Sequence, residues 1–139
     1  MGLTLQGRAI VAGRASGEAL VSSEPLSFWG GYDHHTGTII DVHHPLAGAV
    51  AAGRILALPS TRGSSTTTAV LLEAVKAGTA PAAIVTTGAD AFFALASIVA
   101  GEMYARPIPL VALSAEDFAR LRTGQHVTVD EDGTLAVEP

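Results

Sequence analysis

The chain has 139 residues, of which 48% are hydrophobic and 15% charged, with a mean hydropathy of +0.39. This length and composition fit one domain with its own core and exclude disorder as the main state. Eight basic against thirteen acidic residues leave a net charge of −5. No basic cluster exists to neutralise phosphates, so no nucleic-acid partner is expected. The absence of cysteine excludes disulfides, thiol nucleophiles and thiolate-held clusters within this chain. Residues 1–14 have neither the charged start nor the long apolar run of a signal peptide, and the apolar stretch 91–100 is too short to span a bilayer. A cytoplasmic protein without a membrane partner is expected. A surface so poor in charge fits either a face covered by a partner or a tightly packed alanine-rich domain.

In chain order, residues 3–11 alternate and predict a strand, and residues 17–21 a second. A glycine-rich loop follows, Ser27-Phe28-Trp29-Gly30-Gly31-Tyr32-Asp33, and then a short strand over 38–41. Residues 54–58 predict a strand: after Arg54 the run Ile55-Leu56-Ala57-Leu58 is continuously apolar, the pattern of a strand buried on both faces. From Ser64 to Ala77 the apolar residues fall at helical spacing, and Gly78 stops the run. A strand over 82–86 precedes a helix over 90–104, with Asp90 as its N-cap. A strand over 109–113 precedes a third helix, capped by Ser114 and ended by Gly124. Two alternating runs around Asp132-Gly133 predict a closing hairpin. Strands first, then strand–helix alternation, then a hairpin predict a single α/β domain over 1–139, in a three-layer β/β/α arrangement.

Three segments carry candidate chemistry. Arg62-Gly63-Ser64-Ser65-Thr66 joins a buried strand to a helix. It places hydroxyls and free N–H groups at the positive pole of the helix, which suits an anion and would also stabilise a serine alkoxide. The plain alternative is that Ser64 or Ser65 serves as an N-cap. The loop has no lysine, so it is not a phosphate loop, and it lacks the second glycine of a hydrolase nucleophile elbow. In the second segment, Trp29 stands beside Gly30 and Gly31, which suits either the wall of a pocket or partner seat, or a loop anchored in the core by its aromatics. In the third, His34-His35 and His43-His44 flank a short strand. Neighbouring strand residues point to opposite faces and no cysteine supports them, so no metal site is assigned. His44, in His44-Pro45-Leu46-Ala47-Gly48, reads as part of a turn that shapes the pocket or touches a neighbouring chain.

Taken together, Phe28-Trp29-Gly30-Gly31, Thr36-Gly37 with Ile39-Ile40-Asp41, His44-Pro45-Leu46 with Gly48, Gly53-Arg54-Ile55-Leu56, Arg62-Gly63-Ser64-Ser65 and Leu71-Leu72-Glu73 resemble the small subunit of the aconitase X family. The resemblance runs over nearly the whole chain, in order and spacing. It implies the swivelling β/β/α domain of the aconitase superfamily and a hydro-lyase activity expressed only with a large subunit. That subunit would carry an iron–sulfur cluster on its own cysteines, with none bound by this chain, and the active site would lie in the cleft between the two. The family's hydroxy-acid substrates are cis-3-hydroxy-L-proline and mevalonate 5-phosphate. The scarcity of cations here favours the first.

Carried over residue by residue, Gly63-Ser64-Ser65 resembles the Gly-Ser-Ser of aconitase, which makes Ser64 the proton-abstracting base. Arg62, Gly63, Ser65 and Thr66 become substrate-binding positions. Phe28, Trp29, Gly30, Gly31 and His44 become cleft or interface positions. Thr66 stands where aconitase has an arginine, which fits a substrate with fewer carboxylates. A reading from a different class is a non-catalytic domain that holds an anion or regulates through the same helix start. A self-sufficient hydrolase is disfavoured by the missing acid–base–nucleophile set.

Overall fold

The computed structural model describes residues 2–60, 66–88 and 90–139, and of Thr66 the backbone alone. Its strands are β1 (Leu3–Gln6), β2 (Arg8–Val11), β3 (Ala15–Val21), β4 (Tyr32–Asp33), β5 (Thr38–Ile39), β6 (Ile55–Ala57), β7 (Ala83–Thr86), β8 (Leu110–Ala112), β9 (His126–Val129) and β10 (Thr134–Glu138). Its helices are α1 (Thr66–Ala77), α2 (Ala91–Tyr104) and α3 (Ala115–Phe118). Local signals account for most of these. The Asp90 carboxylate accepts from the backbone N–H groups of Phe92 and Phe93 at 3.0 and 3.2 Å and starts α2. Ser114 Oγ accepts from Asp117 N at 3.1 Å and starts α3. Gly133, at φ 89°, turns the hairpin between β9 and β10.

Eight strands hydrogen-bond in the order β1-β10-β9-β3-β6-β7-β8-β2. The pairs β3–β6, β6–β7 and β7–β8 are parallel, and the others antiparallel. The first and last strands of that order, β1 and β2, are joined through Gly7 alone, so the order closes on itself. Strand β3 also serves twice: residues 15–18 pair with β9, and residues 19–21 with β6. The result is two β layers that share their long strands, with α1 and α2 packed on the second.

Alternation along the shared layer divides the core. Ile55, Ala57, Ala83, Val85 and Val111 face the first β layer, while Leu56, Ile84 and Leu110 face the helices. This is why residues 55–58 read as uninterruptedly apolar: both faces of β6 are covered.

Three expectations are corrected. The strand expected over 3–11 breaks at Gly7, because the chain changes layer there. A Cβ at Gly7 would collide with Val111 Cγ1 and lie 3.1 Å from the Ala112 carbonyl oxygen. The third helix ends at Phe118 rather than at Gly124, since the chain must leave the helix to return Leu121 to the inter-layer core. Tyr32-Asp33, read as loop, forms the short β4 against β5. No helix among the described residues is long and apolar enough to cross a membrane.

Candidate functional site

Strands β3, β6, β7 and β8 run the same way, so the segments that leave Val21, Ala57, Thr86 and Ala112 emerge at one edge. Ligands in parallel sheets bind beyond that carboxyl edge. A cavity of about 440 Å³ opens there, walled by Val21, Pro59, Phe118 and Leu121 with Thr87 and Arg122 as polar members. The Thr87 hydroxyl and backbone N–H reach the Pro59 carbonyl at 3.1 and 3.4 Å, tying the end of β7 to the stretch that leaves β6. That stretch leads into the segment expected to carry the chemistry. Arg62, Gly63, Ser64 and Ser65 lie outside the described residues, and Thr66 is the first residue of α1. The first turn of α1 holds no acidic residue, so nothing there offsets the positive pole of the helix. Thr68 Oγ1, also in that turn, is buried without a hydrogen-bond partner among the described residues.

The Phe28-Trp29-Gly30-Gly31 loop divides between core and surface. Phe28 is completely buried, stacked on Tyr32 at 5.1 Å and edge-on to Phe93 at 5.4 Å between ring centroids. The cleft or interface position expected for Phe28 is therefore corrected: its ring ties the loop to α2. Gly31 is buried as well, with the Ser27 carbonyl where a Cβ would stand. Trp29 is 72% exposed, and Gly30, at φ 75°, has open space around it.

His44 is buried, and its ring works within its own loop. Nδ1 accepts from Leu46 N at 3.1 Å, and Nε2 lies 3.3 Å from the Glu24 carbonyl oxygen. Those partners select the tautomer with the proton on Nε2. The expected contact with a neighbouring chain is corrected accordingly: His44 shapes the loop from inside. The rings of His34 and His35 lie 4.1 Å apart. No group of three metal-binding side chains forms among the described residues.

Two neighbours of the loop escaped the sequence reading. Tyr32 donates its hydroxyl to the Thr79 carbonyl at 2.8 Å, and burial pushes its pKa upward, so it remains a donor. Arg122 falls within the helix expected to run to Gly124, but in the structure it follows the helix, which ends at Phe118. Its place at the cavity depends on contacts across the fold, and no local pattern signals it.

Comparison with known proteins bears on this edge. Residues 4–137 match the aconitase X swivel domain family. Cis-3-hydroxy-L-proline dehydratase of Pseudomonas aeruginosa is 46% identical over 125 residues, covering 85% of this chain and 22% of that protein. The phosphomevalonate dehydratase small subunit of Thermococcus onnurineus is 39% identical over 137 residues, covering 98% of this chain and 99% of that subunit. The crystal structure of Thermococcus kodakaraensis aconitase X in its holo form superposes with a TM-score of 0.87 at 35% identity, covering 99% of both chains. The chain thus spans about a fifth of the hydroxyproline dehydratases it matches and nearly all of the separate small subunits.

Proposed function

The chain belongs to the aconitase X swivel domain family, and on that premise we propose that it is the small subunit of a two-subunit dehydratase acting on cis-3-hydroxy-L-proline. The observation that carries the small-subunit reading is the full-length match to phosphomevalonate dehydratase small subunits, combined with a cavity at the carboxyl edge of the parallel strands. The large subunit supplies the rest of the active site. This chain has no cysteine and does not fit an iron–sulfur cluster, which belongs on the large subunit.

The substrate assignment rests on charge. Arg122 is the one cation among the described residues that line the cavity, and Arg62 stands three residues after Pro59 in the sequence, whereas mevalonate 5-phosphate carries both a phosphate and a carboxylate. The relative with the hydroxyproline activity is also the more similar in sequence, at 46% against 39%. Mevalonate 5-phosphate is the second reading. It is favoured by the correspondence of this chain, end to end, with a separate small subunit.

Ser64 is the base. A serine hydroxyl is too weak an acid to lose its proton in water. At the start of α1 the free N–H groups and the helix pole stabilise its alkoxide. The Ser64 alkoxide takes the proton from the carbon next to the carboxylate, and the C–H pair forms the new C=C bond. The hydroxyl leaves the neighbouring carbon with the C–O pair as hydroxide, which the proton gained by Ser64 converts to water. Arg62, Ser65 and Thr66 help to hold the charge that builds as the proton leaves.

The test is a coupled dehydratase assay with the large subunit present and absent, on wild type and Ser64→Ala. The chain alone should show no turnover. Ser64→Ala should lower the rate of the assembled enzyme at least about a hundredfold. Loss of an N-cap alone would cost about 1 kcal/mol of stability and leave assembly intact. Activity retained in Ser64→Ala would refute the base and favour an anion-binding role, which needs only the backbone N–H groups.

A further inference from the structure

We propose that Arg122 is a substrate-binding residue whose guanidinium takes the carboxylate of the hydroxy acid in the carboxyl-edge cavity. The identity of the ligand rests on the dehydratase reading. The availability of the site rests on geometry alone.

Nη1 of Arg122 is already committed. It donates to the Ala119 carbonyl at 2.5 Å and to the Leu121 carbonyl at 2.9 Å. The backbone N–H of Arg122 donates to Gln125 Oε1 at 2.7 Å, which holds the turn that presents the side chain. A guanidinium has five N–H donors in one plane. With Nη1 occupied, the edge formed by Nε and Nη2 keeps two parallel donors, the fork that matches the two oxygens of a carboxylate.

The guanidinium is held by two main-chain oxygens and not by an acid. Arg14 faces Asp130 at 3.7 Å and Arg120 faces Asp117 at 3.8 Å, but no carboxylate among the described residues pairs with Arg122. Among the described residues, none that lines the cavity is acidic. Beside the hydroxyls of Ser23 and Thr87, its walls include Val21, Pro59, Phe118 and Leu121, which are apolar and suit the carbon frame of a small ring or chain. A cation fixed in advance over an apolar pocket loses little freedom when an anion arrives. Pro59, at the wall of this pocket, stands five residues before Ser64 in the sequence.

The experiment has two arms. In the first, the isotopically labelled chain alone is titrated with cis-3-hydroxy-L-proline and with its carboxamide, and amide signals are followed by NMR. The acid should shift Thr87, Leu121 and Arg122 saturably, and the carboxamide should not. Arg122→Gln should abolish the shifts, and Arg122→Lys should keep them in weakened form. In the second arm, with the large subunit present, Arg122→Gln should raise KM about 10- to 100-fold, the size expected for a charged hydrogen bond, with kcat within about twofold.

Equal shifts by acid and carboxamide, no shifts at all, or an unchanged KM in a folded Arg122→Gln enzyme would overturn the proposal. Loss of subunit assembly at unchanged KM would also overturn it, since the fork would then belong to an acid of the large subunit. A wild-type complex inactive on the hydroxyproline refutes the dehydratase reading instead, and the titration of the chain alone still decides Arg122.

Discussion

Phe28→Ala and Trp29→Ala alter adjacent aromatic residues with opposite surroundings. Phe28 is fully buried against Tyr32 and Phe93, so truncation leaves a cavity between the loop and α2. Truncations of this kind cost about 3–5 kcal/mol, a large part of the roughly 5–15 kcal/mol that holds a domain folded. With a urea slope of roughly 2 kcal/mol per molar, the unfolding midpoint should fall by roughly 1.5–2.5 M. Trp29 is 72% exposed, and its truncation should change the stability of the isolated chain by less than about 0.5 kcal/mol. The assay is urea unfolding followed by far-ultraviolet circular dichroism, because Trp29→Ala removes the single tryptophan. In the proposed complex with a large subunit the order should reverse: Trp29→Ala should weaken assembly or raise KM, as loss of a large interface anchor does. Comparable destabilisation by both variants, or a Phe28→Ala chain that loses less than about 1 kcal/mol, would refute the division of this loop into a core half and a surface half.

Two further outcomes concern stability. Gly7→Ala should destabilise the chain by about 1–3 kcal/mol, measured by urea unfolding, because its Cβ collides with Val111 where the chain passes between layers. Acid should also weaken the fold through two exposed carboxylates. The pKa of Asp33 is lowered chiefly by the His35 backbone N–H, and that of Asp132 by the Thr134 backbone N–H. A folded-state pKa below the unfolded value adds stability above the unfolded pKa, and that stability disappears as pH falls through the folded one. The double variant Asp33→Asn, Asp132→Asn should therefore lose less of its urea midpoint than wild type between about pH 5 and about pH 2.

The parts of this protein legible in its sequence are those set by near neighbours. Asp90 and Ser114 announce helix starts because a side-chain oxygen two or three residues away satisfies an otherwise unpaired N–H. Asp132-Gly133 announces the hairpin because the turn needs the positive φ that Gly133 adopts. The apolar run 55–58 announces a strand covered on both sides, and the order of elements announces the β/β/α architecture. The motifs spread along the chain resemble the aconitase X small subunit, and the family match bears that out. The tertiary structure decided what depends on residues far apart in the chain. Gly7 reads as one more residue of an alternating strand, and only the approach of Val111, more than a hundred residues on, makes it the point where the strand changes layer. Phe28 and Trp29 read alike, and only Phe93 of α2 decides which of them is buried. Arg122 reads as part of the third helix, which in the structure ends at Phe118. It meets Val21, Pro59 and Thr87 because the carboxyl ends of β3, β6 and β7 converge, and periodicity within a segment carries no information about which segment ends beside it.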